Sequence, residues 1–248
     1  VQPPKDDIDN LIYDLMGFNS KPLKRLREVG NGTVAIEDSD EFLRWKGMDC
    51  PADGYTMIGY KRLRNIYDLL KHALDNNLPG SFIETGVWKG GASILAAHVL
   101  KGTGRKVYVC DSFRGLPKPD TKYPVDQNCH LFEQAHLRIS KQDVMNNFQK
   151  FGLLNDNVVF VEGFFEDTLP TIKDVFSLIR LDGDMYGSTW CALENLYPQL
   201  TSGAGCIIDD WILTPAREAV YDYRTQIKEE APIVDIDGIG VYWLKNAP

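Results

Sequence analysis

The segment LIRLDGDMYGSTW, Leu178 to Trp190, begins as an apolar run suited to a buried strand and ends in two carboxylates, Asp182 and Asp184, with one glycine between them. A second apolar run, CIIDDW, closes the same way with Asp209 and Asp210, 27 and 28 residues after Asp182. Adjacent strand ends would bring at least three of these side chains together, and like charges held that close demand a cation. An oxygen-only donor set without nearby His or Cys suits Mg²⁺, with Ca²⁺ or Mn²⁺ able to take its place, and leaves positions for water or substrate. The plainer use of acids before a helix is to cap its positive end. Capping needs one acid per helix, however, and a facing set stands here. Asp184 is open to three uses: a further ligand, a cap for a helix at 188–197, or a general base.

A second constellation, FIETGVWKGGAS, puts Glu84, Gly86, Gly90 and Gly91 at a strand-to-helix turn. It is not the dinucleotide pattern G-x-G-x-x-G, because Val87 and Trp88 follow Gly86, nor the phosphate loop, because Ala92 stands where lysine is required. A ligand without a pyrophosphate is favoured. The form E-x-G-x-x-x-G suits S-adenosylmethionine, whose amino acid part needs donors for its carboxylate and an acceptor for its ammonium; a plain tight turn would use glycine there too. One unit later VYVCD ends in Asp111, placed to accept both ribose hydroxyls of an adenosine. Glu84, Asp111, Gly163, Asp182 and Asp209 then share one rim, beyond the strand C-termini where ligands sit in such sheets. His72 and His98 fall within helices, whereas His130 and His136 lie beyond a polar loop beginning SFRGLPKPD, where they can overhang the crevice. Trp88, Phe164, Tyr186 and Trp211 flank the rim motifs and either frame a ligand or pack.

The elements that must position these residues alternate. Residues 7–16 place Ile8, Leu11, Ile12 and Leu15 on one helical face, and a polar, Gly-containing stretch with short helical patches runs on to about Gly54. A long amphipathic helix is expected behind Thr56 as N-cap, stopped by LPG. Strands SFIET, KVYVC, VVFVEG, FSLIRL and AGCIID then alternate with helices at 91–101, behind the N-cap Ser140, at 188–200 and from Pro215, a pattern that reads as a parallel sheet covered on both faces. PIVDIDGIGVYWLK is a hairpin across Asp237-Gly238. A terminal antiparallel hairpin points by analogy to a Rossmann-like class I methyltransferase, with a mostly parallel seven-stranded sheet. Residues 1–55 read as an N-terminal helical extension serving lid, substrate or dimer contacts, and 56–248 as the catalytic domain.

Composition excludes several classes. With 248 residues, 44% hydrophobic, the chain buries a sizeable core. A formal charge of −8 argues against a nucleic-acid partner, which calls for a basic footprint. Five cysteines without a C-x-x-C pair read as reduced thiols, and no apolar run reaches membrane length. Asp6, Asp7 and Asp9 stand where a signal peptide would be basic, so a cytoplasmic, soluble protein is expected. The start at Val1 rather than Met suggests that a few terminal residues are missing.

Taken together, PADGYTMIG, FIETGVWKGGASI, VCDSFRGLPKPD, FGLLNDNVVFVEGFFEDTLP, RLDGDMYGSTWCALENLYPQL and IIDDW resemble the macrocin O-methyltransferase family, metal- and S-adenosylmethionine-dependent enzymes that methylate sugar hydroxyls of macrolide and related natural products. The resemblance implies a homodimer acting on a glycosylated small molecule or sugar precursor. It also implies Mg²⁺ on Asp182, Asp209 and Asp210, and Asp184 as general base. Cofactor contacts would be Thr56, Met57, Glu84, Gly86, Asp111, Ser112, Gly163, Phe164 and Asp182. Two departures stand out: Phe164 replaces a frequent tryptophan, and Gly187 a frequent glutamate. Two rivals remain. One is a metal-dependent methyltransferase of catechols or phenols, which a lid rich in tryptophan and methionine would favour; 112–128 is instead polar and Pro-rich. The other is a non-catalytic adenosylmethionine-binding protein, which would have no use for the four aspartates.

Overall fold

The computed structural model describes residues 1, 3–30 and 33–246. In chain order the elements are α1 (Asp7–Leu15), β1 (Lys24–Gly30), β2 (Thr33–Asp38), α2 (Glu41–Lys46), α3 (Tyr60–Asp75), β3 (Ser81–Thr85), α4 (Gly91–Val99), β4 (Val107–Asp111), α5 (Lys141–Lys150), β5 (Val158–Glu162), α6 (Phe165–Thr168), β6 (Phe176–Leu181), α7 (Tyr186–Leu196), β7 (Leu200–Ile208), α8 (Thr214–Ile227), β8 (Val234–Asp235) and β9 (Val241–Leu244). Seven strands form one sheet in the order β5-β4-β3-β6-β7-β9-β8. The first five run parallel, and β9 and β8 close the edge antiparallel. The chain winds outward from β3 to β5, then returns to β6 on β3's other side. The strand ends at that reversal form the ligand crevice of such sheets.

Every residue of β3 and β6 is buried, as strands covered on both faces require. Successive side chains point to opposite faces. Thus Phe82, Leu178 and Ile207 join α1, α3, α4 and α5 in one core, and their neighbours Ile83, Ile179 and Ile208 join α7 and α8 in the other. Seven strands, five of them parallel, with a terminal antiparallel hairpin match the fold expected from the sequence.

Three local expectations change. β1 and β2 pair antiparallel where helical patches were expected, with Lys24 opposite Asp38 and Arg25 opposite Glu37. Their pattern was obscured because charges occupy the strand positions and pair across them. The helix after Thr56 starts only at Tyr60, with Gly59 at the N-cap. Tyr55 O accepts from Gly91 N at the start of α4, and the Thr56 hydroxyl accepts from Ile58 N, so the chain is tied to α4 and turned locally before it can coil. The helix expected at 188 begins earlier, at Tyr186, for a reason found in the site.

Candidate active site

Gly86 sets how closely the two central strands meet. Its φ is +82°, and a Cβ there would lie 1.8 Å from the Asp182 carbonyl oxygen, so no other residue fits without displacing β6. Asp182 N donates to Thr85 O at 2.9 Å, and Asp209 N to Leu181 O at 2.9 Å, which extends the pairing one residue beyond the strands. After Asp182 the backbone turns tightly: Met185 N donates to Gly183 O at 2.6 Å, and Asp184 takes a left-handed φ of +59°. Such a conformation in a non-glycine residue is strained and persists only where its surroundings impose it. Asp210 helps impose it by accepting from Asp184 N at 2.9 Å through Oδ2.

One oxygen each from Asp182, Asp184 and Asp210 lie within 4.8 Å of one another. Burial raises all three: Asp182 to about 6, against the pull of Arg180 and with Asp209 adding repulsion, Asp184 to about 7 with repulsion from Asp182, and Asp210 well above the carboxylate range with repulsion from Asp184 and Asp182. Asp209, expected beside them, is turned elsewhere. Its Oδ1 meets Arg180 at 2.6 Å and its Oδ2 meets Arg62. Burial opposes its charge, but the two guanidiniums prevail and hold it below the ordinary value. Arg180, buried on β6, also reaches Asp182 at 2.9 Å and pairs with Glu84. Arg62 continues the chain to Asp237 at 3.1 Å. One guanidinium therefore ties the ends of β3, β6 and β7, and a second ties β7 to α3 and the terminal hairpin.

Beside the acids opens a concave, mostly apolar cleft with a few polar groups on its wall, the make-up of a small-molecule site. Of the expected cofactor residues, Met57, Gly86, Asp111, Ser112, Phe164, Asp182 and the neighbouring Asp184 line it. Thr56 and Gly163 do not. Thr56 is buried, and Gly163, at φ +145°, holds β5 to β4 by donating to Asp111 O. Glu84 is buried among Arg180 and Ser93, and burial lifts it to about 7 despite both. It steadies the arginine instead of facing the cleft. The Asp111 oxygens accept from Val87 N and Phe113 N, each at 2.8 Å, so this acid shapes the rim of the cleft that it lines. Lys89 donates to the carbonyls of Pro51, Ala52 and Gly54, which fixes the segment bearing Met57.

Several residues of the site were not singled out from the sequence. Leu116, Pro117 and Leu137 bring the polar loop over the cleft, and Phe165 and Glu166 follow Phe164 on its wall. Arg114 lies 5.1 Å from the Phe164 ring centre, a cation over the ring that replaces tryptophan. Asp126, buried in the loop, caps the start of α7. Trp88, which was singled out, lines the cleft and donates to His136 O at 2.8 Å, so that histidine serves through its backbone. Its imidazole lies 3.6 Å from Glu28 of β1, while His130 is exposed beside Glu133.

Comparison with known proteins identifies the architecture. Residues 10–245 match the Macrocin-O-methyltransferase (TylF) family. The chain is 43% identical to mycinamicin III 3''-O-methyltransferase of Micromonospora griseorubida, over 84% of this chain and 85% of that protein. It is also 43% identical to 8-demethyl-8-(2,3-dimethoxy-alpha-L-rhamnosyl)-tetracenomycin-C 4'-O-methyltransferase of Streptomyces olivaceus, over 98% of this chain and 95% of that one. Among solved structures, the O-methyltransferase NovP superposes with a TM-score of 0.88 at 37% identity, covering 97% of this chain and 98% of NovP. With motif, fold and cleft in agreement along almost its whole length, the chain belongs to the macrocin O-methyltransferase family and is an S-adenosylmethionine-dependent O-methyltransferase.

Proposed function

We propose that the enzyme transfers the methyl group of S-adenosylmethionine to a sugar hydroxyl of a glycosylated natural product, or of a sugar precursor to one, in a reaction that requires a divalent cation, Mg²⁺ first. The observation that carries this reading is the trio Asp182, Asp184 and Asp210, two of which, Asp182 and Asp184, line the cleft. The relatives' names support it: one is a 3''-O-methyltransferase of mycinamicin III, and the other a 4'-O-methyltransferase of a rhamnosyl-bearing tetracenomycin.

The donor set fits Mg²⁺: three carboxylates converge and resist ionising together, and a divalent charge relieves that repulsion. Asp182 and Asp210 would hold the cation, with Asp184 beside them on the cleft wall. When bound, it supplies Lewis-acid stabilisation of the negative charge developing on the acceptor oxygen. Asp184 removes the acceptor's proton, since a carboxylate on a fixed turn at the cleft wall is poised for general base work. Arg180 and Arg62 keep Asp209 charged and orient Asp182 from behind. Trp88, Leu116, Leu137 and Phe164 shield the donor from water, and in-line placement of oxygen and methyl carbon accounts for much of the rate.

The decisive experiment is a methyl-transfer assay over glycosylated natural products and nucleotide sugars, with Mg²⁺ or with chelator. Turnover should need both a sugar hydroxyl and the cation. Full activity in chelator would remove the metal from the proposal, and transfer only to phenols would replace the acceptor class. The homodimer implied by the family resemblance is part of the same proposal, and light scattering tests it.

A further inference from the structure

The loop between β4 and α5 roofs the cleft through Gly115, Leu116, Pro117 and Leu137, yet it contributes no strand to the sheet. One of its anchors is a single buried side chain. Asp126 is fully buried, and its two oxygens accept from the backbone of Tyr186 at 2.8 Å and of Gly187 at 3.0 Å, the first two residues of α7. The opening N–H groups of a helix have no partner inside it, and a cap is usually supplied by the residue just before. Here that residue is Met185, which has no acceptor, so the cap arrives from 60 residues upstream. Next to Asp126 the Tyr123 ring occupies the space over Gly187: a Cβ at 187 would lie 2.8 Å from ring carbons. Tyr123 also packs against Tyr186, ring centres 5.2 Å apart. Gly187 is thus the vacancy into which the loop seats, and the N-terminus of α7 follows Asp184 by two residues.

We infer that Asp126 is a positioning residue, a latch whose one carboxylate closes the loop over the methyl donor and fixes the far end of the turn bearing Asp184. This rests on the cleft being the adenosylmethionine site. Seating of Tyr123 over Gly187 is the other half of the latch. With the latch intact, S-adenosylhomocysteine leaves slowly; with it broken, the roof lifts and the nucleoside escapes, while the sheet is untouched.

The test uses the full chain, with Asp126→Ala and Gly187→Ala made separately. Gly187→Ala is the sharper variant. Alanine favours a helix over glycine while its Cβ pushes on the Tyr123 ring, so a purely structural role predicts a shift in melting temperature at most, with unchanged ligand release. The latch predicts that both variants release S-adenosylhomocysteine about tenfold faster, the size of a lost helix cap. Release is read by stopped-flow tryptophan fluorescence on chasing with excess S-adenosylmethionine. Trypsin should also cut faster after Lys122, which is exposed at the loop's surface. Wild-type release from folded Gly187→Ala overturns the latch, whether or not Asp126→Ala folds. Failure of the wild type to bind S-adenosylhomocysteine at all would instead bring down the cofactor assignment of the cleft, and the latch with it.

Discussion

Asp184 combines a strained left-handed backbone, an amide held by Asp210 and a carboxyl raised to about 7. A base with this placement predicts a clean separation of binding from turnover. Asp184→Asn should bind S-adenosylhomocysteine as the wild type does, by calorimetry, while kcat falls by roughly 10²–10⁴; an unchanged kcat would move the base elsewhere. The raised acids also set a pH dependence. Without a cation, folding lifts Asp182 from 3.8 to about 6 and Asp184 from 3.8 to about 7, so across this window the folded chain holds protons the unfolded chain has released. Their contribution to stability is therefore present below about pH 4 and lost as pH rises toward 7. A bound cation cancels that loss, so the rise in Tm on adding Mg²⁺ should be larger near about pH 8 than near about pH 5.5. An equal rise at both would mean that the ion does not sit on these acids. The four aspartates were legible in the sequence as a group. Which of the adjacent pair 209 and 210 joins the cluster was not, because Asp209 is claimed by Arg62, 147 residues away along the chain.

Among elements, the strands were the most legible, since apolar runs bounded by glycine and acids leave little choice of period. The β1–β2 pair was hidden by its charges, and the start of α7 by a cap from the distant loop. Glycine positions show how an element's meaning depends on its neighbours. Gly86 and Gly238 have nearly the same φ, +82° and +85°, but a Cβ at Gly86 strikes the Asp182 carbonyl, whereas one at Gly238 meets nothing within 4 Å. Alanine at 238 should cost only the left-handed penalty of about 1–2 kcal/mol. Alanine at 86 should cost more than about 3 kcal/mol, because β3 and β6 must also separate. Urea midpoints of the two variants compare them directly, and equal losses would show that the strands part easily at the site.

At the scale of the whole molecule, the first 55 residues are sewn into the rest. Ile12, Leu15 and Met16 are fully buried in the same core as Leu63, Ile66 and Leu70 of α3. Arg44, buried in α2, pairs with Asp49 at 2.9 Å and donates to the carbonyls of Met16 and Lys24. Arg62 donates to Gly47 O while holding Asp209, so the N-terminal segment and the end of β7 lean on one side chain. This arrangement predicts one cooperative unit rather than an appendage beside a catalytic domain. Ile12→Ala removes packing from a shared core, so it should lower stability by about 2–5 kcal/mol and move a single unfolding transition without splitting it. Far-ultraviolet circular dichroism and tryptophan fluorescence, followed together in denaturant, should shift in step. Were residues 1–55 an independent extension, an early transition would appear in one probe, and methyl transfer would outlast it. Because Ile12 touches neither cleft nor acids, coincident loss of both signals and of activity would place the N-terminal segment in the scaffold that holds the site.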